Sequence, residues 1–309
     1  MRIGYACINT TLAEQGVQVN RSIIKRTFAV KGIQYASALA LKNVSDLTKI
    51  VSWNIQNGIL LYRLSSDMFP WMSEYELSDL PDFEAIAGIL SDTGEKARAN
   101  GLRLTFHPGP FDVLATVSER VLKNTLKDLR QHGEIMDLMN LPRTPYAKIN
   151  IHVGSAVNDK QAAVERFCNN YLLLPDNVKS RLTVENDDKV NMYSVKDLLP
   201  IHGRIGVPIV FDYFHHQFCT GGLTEEEAFM AAVNTWPETI TPIVHYSSSK
   251  KKYEDKNAAD VAHADYIYQY MQRYNAEVDI VLEAKAKEMA VARYQREYAQ
   301  AQKYNQAMA

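Results

Sequence analysis

Among 309 residues there are only three cysteines, Cys7, Cys168 and Cys219. An odd, sparse set without paired spacing argues against a disulfide framework and against a cysteine-based zinc site. It fits a reducing cytoplasm, the expected compartment. No apolar run reaches membrane-spanning length. The segment IGYACI (3–8) follows Met1-Arg2 directly; it is too short for a signal sequence and reads as a strand. Charge of one sign is missing as well: 34 Lys and Arg stand against 36 Asp and Glu, a formal net charge of −2. A basic domain would mark a nucleic-acid binder by composition; in this chain only a local patch can do so. There is no low-complexity linker and no internal repeat. No G-x-G-x-x-G or Walker sequence follows any apolar run, so an open doubly wound sheet, though an alternative, has no nucleotide-binding signature to support it.

What is present is an alternation. Short apolar runs fall at 2–6, 59–64, 102–107, 147–152, 181–185, 208–212, 240–245 and 278–283. They are continuous rather than alternating, as parallel strands buried on both faces should be. Helical patterns lie between them, near 21–30, 34–55, 82–99, 116–139, 158–173, 194–204, 224–235 and 258–274. Asp82, Ser118, Asn158 and Thr224 (with Glu227 three residues on) are start signals; Asn100-Gly101 and Gly203 are stop signals. Eight strands alternating with helices predict an α/β fold, a closed (β/α)8 TIM barrel, as one domain over 1–309. Residues 284–309, rich in Ala, Lys, Glu and Gln, are expected to form a C-terminal helical tail.

Barrel enzymes work at the C-terminal ends of their strands. From the third strand to the eighth, each predicted strand ends in or beside a His, Asp or Glu: His107, His152, Glu185, Asp212 with His215, His245, and Glu283. Four of the eight histidines fall at or just past these ends, and His263 follows in the next loop. Taken singly, a strand-end His is more often a hydrogen-bonded structural residue, and Asp212 could simply cap the following helix. Taken together, imidazoles and carboxylates converging on one rim point to a polynuclear metal site suited to Zn or Mn. Such sites hold ions about 3.5–4 Å apart and bind phosphate. His132 (a polar helix end), His202 (a turn) and His216 (beside His215) are assigned no role at the centre.

The strings GYACIN (4–9), YRLSSDMFP (62–70), FHPG (106–109), INIHVGS (149–155), LTVENDD (182–188), FDYFHH (211–216), VHYSS (244–248), HADYI (263–267) and DIVLEAKAKE (279–288) together resemble the UV damage endonuclease family, in the family's order and over nearly the whole chain. That family is similar to endonuclease IV and to xylose-isomerase-like barrels. The resemblance implies two or three divalent ions, manganese first, with Zn, Mg or Co as alternatives. It implies that Glu185 bridges two ions, that His107 and His152 hold one, that Asp212, His245 and Glu283 hold a second, and that His215 and His263 hold a third. Tyr5 and Asn9 are implied near the lesion or scissile phosphate. The implied reaction is hydrolysis of the phosphodiester immediately 5′ to a pyrimidine dimer or (6-4) photoproduct, leaving a 3′-hydroxyl and a 5′-phosphate. The implied partner is UV-damaged double-stranded DNA, met by a monomer, with no membrane.

This chain departs from the family pattern at three places. Pro110 and Phe111 stand where Gln and an aromatic probe the damaged pair. Ile243 stands where a Lys precedes the sixth of these ligands. Glu74 or a neighbour replaces a His after the Ser-Ser-x-x-x-Pro segment. For DNA contacts, Lys250, Lys251 and Lys252 after His245 suit backbone phosphates. Phe111 could wedge, and Trp71, with Phe69 and Tyr75, could stack on bases or pack its own loop. The rival readings are an abasic-site endonuclease, a sugar isomerase or epimerase, and a non-catalytic damaged-DNA binding module.

Overall fold

A computed structural model describes the backbone of residues 1–156 and 159–308 and, within those, the side chains up to residue 297. Eight strands follow the predicted order: β1 (Ile3–Ala6), β2 (Leu61–Arg63), β3 (Arg103–Thr105), β4 (Ile149–Ile151), β5 (Leu182–Glu185), β6 (Ile209–Val210), β7 (Ile243–Tyr246) and β8 (Asp279–Leu282). Every pairing between them is parallel. One run is β3-β2-β1-β8-β7 and another is β4-β5-β6. Parallel bridges from Phe106 to Ile149 and from Asp212 to His245 join the two runs into a ring. The result is the expected barrel, with both strand faces buried. Gly4 marks how closely β1 approaches β2, since a Cβ there would lie 1.9 Å from the Leu61 carbonyl oxygen.

Helices cover the outside: α1 (Lys25–Gln56), α2 (Phe83–Ala99), α3 (Glu119–Leu138), α4 (Lys160–Tyr171), α5 (Val195–Ile205), α6 (Glu225–Val233) and the tail α7 (Lys287–Met308). The two helices expected over 21–55 form one run broken at Gly32, whose φ of 65° few other residues adopt readily. Ser118 and Thr224 cap α3 and α6 as expected, Thr224 in a capping box with Glu227. Asp82 precedes α2 but accepts from the Ser37 hydroxyl instead of capping. Asn158 lies outside the described residues; the side chain that caps α4 is Asp159. The stop expected at Gly203 comes later, at Gly206, with φ of 71°.

One expected helix, 258–274, is absent. The backbone of 262–266 is spent otherwise: Lys250 donates to Ala262, Ala264 to Ser248, Lys285 to Ala264 and Ala286 to Asp265. This segment is stitched along the ends of β7 and β8, so it cannot close helical bonds, and it holds His263 at the rim.

The main core lies between strands and helices. A small second cluster, Leu61, Val210, Trp236, Ile243 and Val281, fills the barrel interior beneath the site.

Candidate metal centre and its rim

In a strand, residues two apart share a face. Each strand-end ligand therefore sits above inward-facing partners on its own strand: Arg103 and Thr105 below His107, Lys148 and Asn150 below His152, Thr183 below Glu185, Asp279 and Val281 below Glu283. These side chains stand in the interior of a closed barrel, so burial and charge must be reconciled there.

Glu185 is the hub. Its Oε2 lies 3.0 Å from His107 Nε2, and its Oε1 lies 3.0 Å from His245 Nδ1 and 3.5 Å from His215 Nδ1. Asn150 donates to Oε2 and is itself fixed by a 2.7 Å bond from the Thr183 hydroxyl. Two sets of possible ligand atoms, each within 4.8 Å of one another, share this carboxylate: His107, His152 and Glu185, and Glu185, Asp212 and His245. Glu283 joins the second set from the side, with Oε1 3.3 Å from His245 Nδ1, and it is paired with Arg63 of β2.

The outer nitrogens of the rings are held by the fold. His107 Nδ1 lies 3.1 Å from the Pro108 carbonyl, His215 Nδ1 2.8 Å from Asn186 O and His263 Nδ1 2.9 Å from Glu283 O. His152 Nδ1 lies 3.1 Å from Asp187 Oδ1. In His107 this leaves Nε2 for the centre, the arrangement by which surrounding acceptors orient ligating imidazoles, whereas the Nδ1 atoms of His215 and His263 also lie 3.5 and 3.7 Å from carboxylate oxygens of Glu185 and Glu283. The His215 and His263 rings are 6.4 Å apart. Among the described residues they do not form a three-ligand group of their own, so the third ion is the least supported of the expected set.

Asp212 serves both readings of its position. Its Oδ1 accepts from the N–H groups of Phe214 and His215 at 2.7 and 2.8 Å, capping the turn Tyr213–His216. Its Oδ2 is buried and has no hydrogen-bond partner among the described residues. Burial, with repulsion from Glu185 and Glu283, raises the Asp212 carboxyl above the usual carboxylate range. For Glu185, burial works the same way, but the neighbouring His245 and His107 outweigh it and hold the acid well down. For Glu283 it is chiefly Arg63 that outweighs burial. Two buried carboxylates and a partly buried third, with one oxygen lacking any donor among the described residues, fit a divalent cation: mixed N and O donors suit Mn or Zn, and the ion would supply the charge that the side chains lack.

Several partners escaped the sequence reading. Arg63, Lys148, Asn150, Asn186 and Asp187 all contact ligands, and period-two spacing alone would have flagged Asn150 and Lys148 below His152. Lys148 is fully buried with Nζ 3.3 Å from His245 Nε2, and burial pushes its amine down to about 7. An amine thus reaches the His245 ring from β4, while Ile243, at the place where a Lys was expected, packs in the interior apolar cluster.

Other expectations are placed differently. Tyr5 and Asn9 are buried away from solvent; the Tyr5 hydroxyl donates to Asn54 at 2.8 Å and accepts from Asn9 at 2.9 Å, and Asn9 caps Thr10–Ala13. Tyr5 faces α1, so its hydroxyl is already satisfied. Glu74 is exposed and joins no ligand group among the described residues. Phe69 and Tyr75 are buried, and Trp71 is half-buried against the core, so that loop packs on itself. His132 and His216 are buried, and His202 lies in the last turn of α5, not in a turn between elements.

The rim is uneven. Beside His107 opens a cavity of about 860 Å³, lined by Cys7, Ser65, Asp67, Gly109, Pro110 and Phe111 among others. Phe111 is 86% exposed at its edge. Beyond β7, Lys250 lies 3.5 Å from Asp265 and Lys251 2.6 Å from Asp260, whereas Lys252 has no carboxylate partner among the described residues and lies 5.0 Å from the Tyr253 ring centre. No described helix is long and apolar enough to cross a membrane.

Comparison with known proteins follows the same line. A family model described as UV-endonuclease UvdE matches residues 1–309. The UV-damage endonuclease of Schizosaccharomyces pombe (strain 972 / ATCC 24843) is 34% identical over 307 residues; the match covers 96% of this chain and 50% of that protein. The UV DNA damage endonuclease of Clostridium perfringens (strain 13 / Type A) is 30% identical over 297 residues, covering 94% of this chain and 69% of that protein. The crystal structure of SacUVDE superposes with a TM-score of 0.79 at 31% identity, covering 94% of this chain and 95% of that one. Endonuclease IV from Thermus thermophilus, with a TM-score of 0.56 at 14% identity over 82% of this chain and 94% of that one, shares the barrel fold alone.

Proposed function

This chain belongs to the UV-endonuclease family, and on that premise we propose that it hydrolyses the DNA phosphodiester immediately 5′ to a UV photoproduct, leaving a 3′-hydroxyl and a 5′-phosphate. The observation that carries the reading is Glu185, one buried carboxylate shared by two ligand sets on the rim of the barrel. His107, His152 and Glu185 would hold one divalent ion, and Asp212, His245, Glu283 and Glu185 a second; His215 and His263 border a third position. When bound, ions such as manganese supply charge for phosphate oxygens and lower the pKa of water.

The chain's own residues do the rest. Asn150 and the two imidazoles fix both oxygens of Glu185, so it cannot swing away as charge builds nearby. Arg63 restrains Glu283, and Asn186 ties β5 to the start of the Asp212 turn through bonds of 2.8 and 3.0 Å. Phe111 stands clear of the rim, where its ring can enter the stack beside a weakened base step; damaged pairs unstack more cheaply than intact ones. Lys252, with no carboxylate partner among the described residues, offers its ammonium to a backbone phosphate.

Pro110 favours a second reading, cleavage at abasic sites, because its ring carries no amide with which to read a base. Both readings meet one experiment: labelled duplexes with one thymine dimer, one abasic site or no lesion, each incubated with and without manganese. A manganese-dependent nick directly 5′ to the dimer supports the first reading. A nick confined to the abasic duplex supports the second, and intact substrates throughout would overturn both.

A further inference from the structure

Arg63 and Lys148 are basic side chains in contact with the ligand cluster, the first through Glu283 and the second through His245. They differ in access. Lys148 lies four residues before His152 and is fully buried, beneath the centre. Arg63 closes β2 at the level of the strand ends, and its side chain keeps 16% of its surface open. The register shows how it comes to face the centre. Leu61 and Val281 belong to the apolar cluster of the barrel interior, and both pair with Gly4 of β1. Two residues on, the same face is presented again. Arg63 and Glu283 therefore stand one step above Leu61 and Val281, with Ala6, the register partner of Arg63, between them. With only glycine and alanine on the inward face of β1, nothing separates β2 from β8. The arginine crosses that gap, and its Nη1 donates to Glu283 Oε1. The same oxygen lies 3.3 Å from His245 Nδ1, so the guanidinium ends beside the ligand cluster.

A guanidinium carries five N–H groups in a rigid fork. The fully buried arginines of this chain spend theirs. Arg103 engages all three nitrogens, with Tyr146 O, Thr241 O, Asp279 and Pro145 O. Arg181 does the same, with Pro142 O, Asp137 and Leu141 O. Arg63 does not. Among the described residues its guanidinium has one acceptor, Glu283, and its Nε is buried without any. Arg103 and Arg181 are therefore complete as parts of the fold, and Arg63 has donors left over at the one place where substrate must come. A planar fork matches the oxygens of a phosphate group.

We infer that Arg63 is a catalytic residue of the proposed hydrolysis: its unspent donors take a non-bridging oxygen of the scissile phosphate. The inference rests on the nuclease reading above. As water adds to phosphorus and the bond from phosphorus to the 3′-oxygen breaks, negative charge builds on the non-bridging oxygens, and a fixed donor there lowers the barrier. The proton that the water loses is balanced by the one gained at the departing 3′-oxygen. Arg63 stays charged throughout and passes no proton. The rival role is passive: Arg63 holds Glu283 in place and never touches substrate.

The test separates the two roles on the full chain. Single-turnover cleavage of the dimer-containing duplex is followed across a manganese titration, and manganese affinity is measured beside it by calorimetry. At saturating manganese Arg63→Gln should cleave about a hundredfold more slowly than wild type. It should bind manganese at least as tightly, because a like charge beside Glu283 has gone. Arg63→Lys, which keeps the charge and loses the fork, should fall between the two. Arg63→Ala should regain activity with added guanidinium and not with urea; Arg63→Gln and Arg63→Lys carry the test should the alanine variant fail to fold. The inference is overturned if Arg63→Gln cleaves within about threefold of wild type. It is overturned equally if its loss tracks weakened manganese binding and is recovered by manganese alone, or if guanidinium restores Arg63→Ala no better than urea. A wild-type chain that cuts no duplex sinks the nuclease reading itself, whereas a cutting wild type matched by Arg63→Gln sinks only the role of Arg63.

Discussion

The two ends of this barrel's interior treat buried charge in opposite ways. At the N-terminal end, both oxygens of Asp279 are engaged: Oδ1 accepts from the Arg2 N–H at 2.6 Å, and Oδ2 from the guanidiniums of Arg2 and Arg103 at 3.2 and 2.9 Å. Arg103 sends its other N–H groups to the carbonyls of Tyr146, Thr241 and Pro145, and its guanidinium lies 4.6 Å from the Tyr146 ring centre. At the C-terminal end, Glu185, Asp212 and Glu283 share imidazoles, one arginine and one lysine, and Asp212 keeps a buried oxygen without a donor. A complete buried cluster holds a fold together. A cluster short of positive charge is stable only as long as something else supplies that charge. The lesson is that burial and charge alone do not mark a site; a buried carboxylate oxygen left without a donor does.

Breaking each end should therefore give opposite phenotypes. The largest effect is expected from Glu185→Gln, which should lower the rate of cleavage by about a thousandfold or more, since it removes the carboxylate shared by both ligand sets. Its metal-free unfolding temperature should stay near wild type, because Gln keeps hydrogen bonds to its neighbours; thermal unfolding in chelator beside a single-turnover assay checks both halves. Next comes Asp279→Ala. It strands Arg103 in the interior and should cost about 3–5 kcal/mol of stability, seen in urea titration, with manganese content unchanged. Third, saturating manganese at about a hundred times its dissociation constant should stabilise the wild-type chain by about 2.7 kcal/mol for each ion bound. Asp279→Ala should show the same increment and Glu185→Gln very little. The smallest effect is at the rim. Lys252→Ala should reduce the salt dependence of DNA binding by about one unit of log–log slope, and Lys251→Ala by less, because Lys251 is already paired with Asp260. Equal slopes for the two would remove the distinction between them.

The same contrast explains what could be read in advance. The clustering of His107, His152, Glu185, Asp212, His245 and Glu283 was legible because a strand end has a fixed place in a parallel barrel, so residue type and position together put these side chains on one rim. The eight strands were legible because runs buried on both faces are continuously apolar. The 258–274 segment was not, because its Ala-rich pattern is compatible with a helix while its backbone is claimed by Ser248, Lys250 and the residues after β8. Tyr5 was misplaced because one residue of parity decides whether a strand side chain faces the site or the surrounding helices, and a four-residue strand gives little pattern to fix it. Arg63 and Asp187 were missed because their partners come from other strands, and no local spacing announces a contact across the ring.

The most direct test is manganese stoichiometry, measured by calorimetric titration of wild type and Glu185→Gln at equal concentration. The expected result is at least two ions per wild-type chain and the loss of tight binding in the variant, since one carboxylate serves both positions. A wild-type chain that binds a single ion, or a Glu185→Gln chain that keeps two, would contradict it.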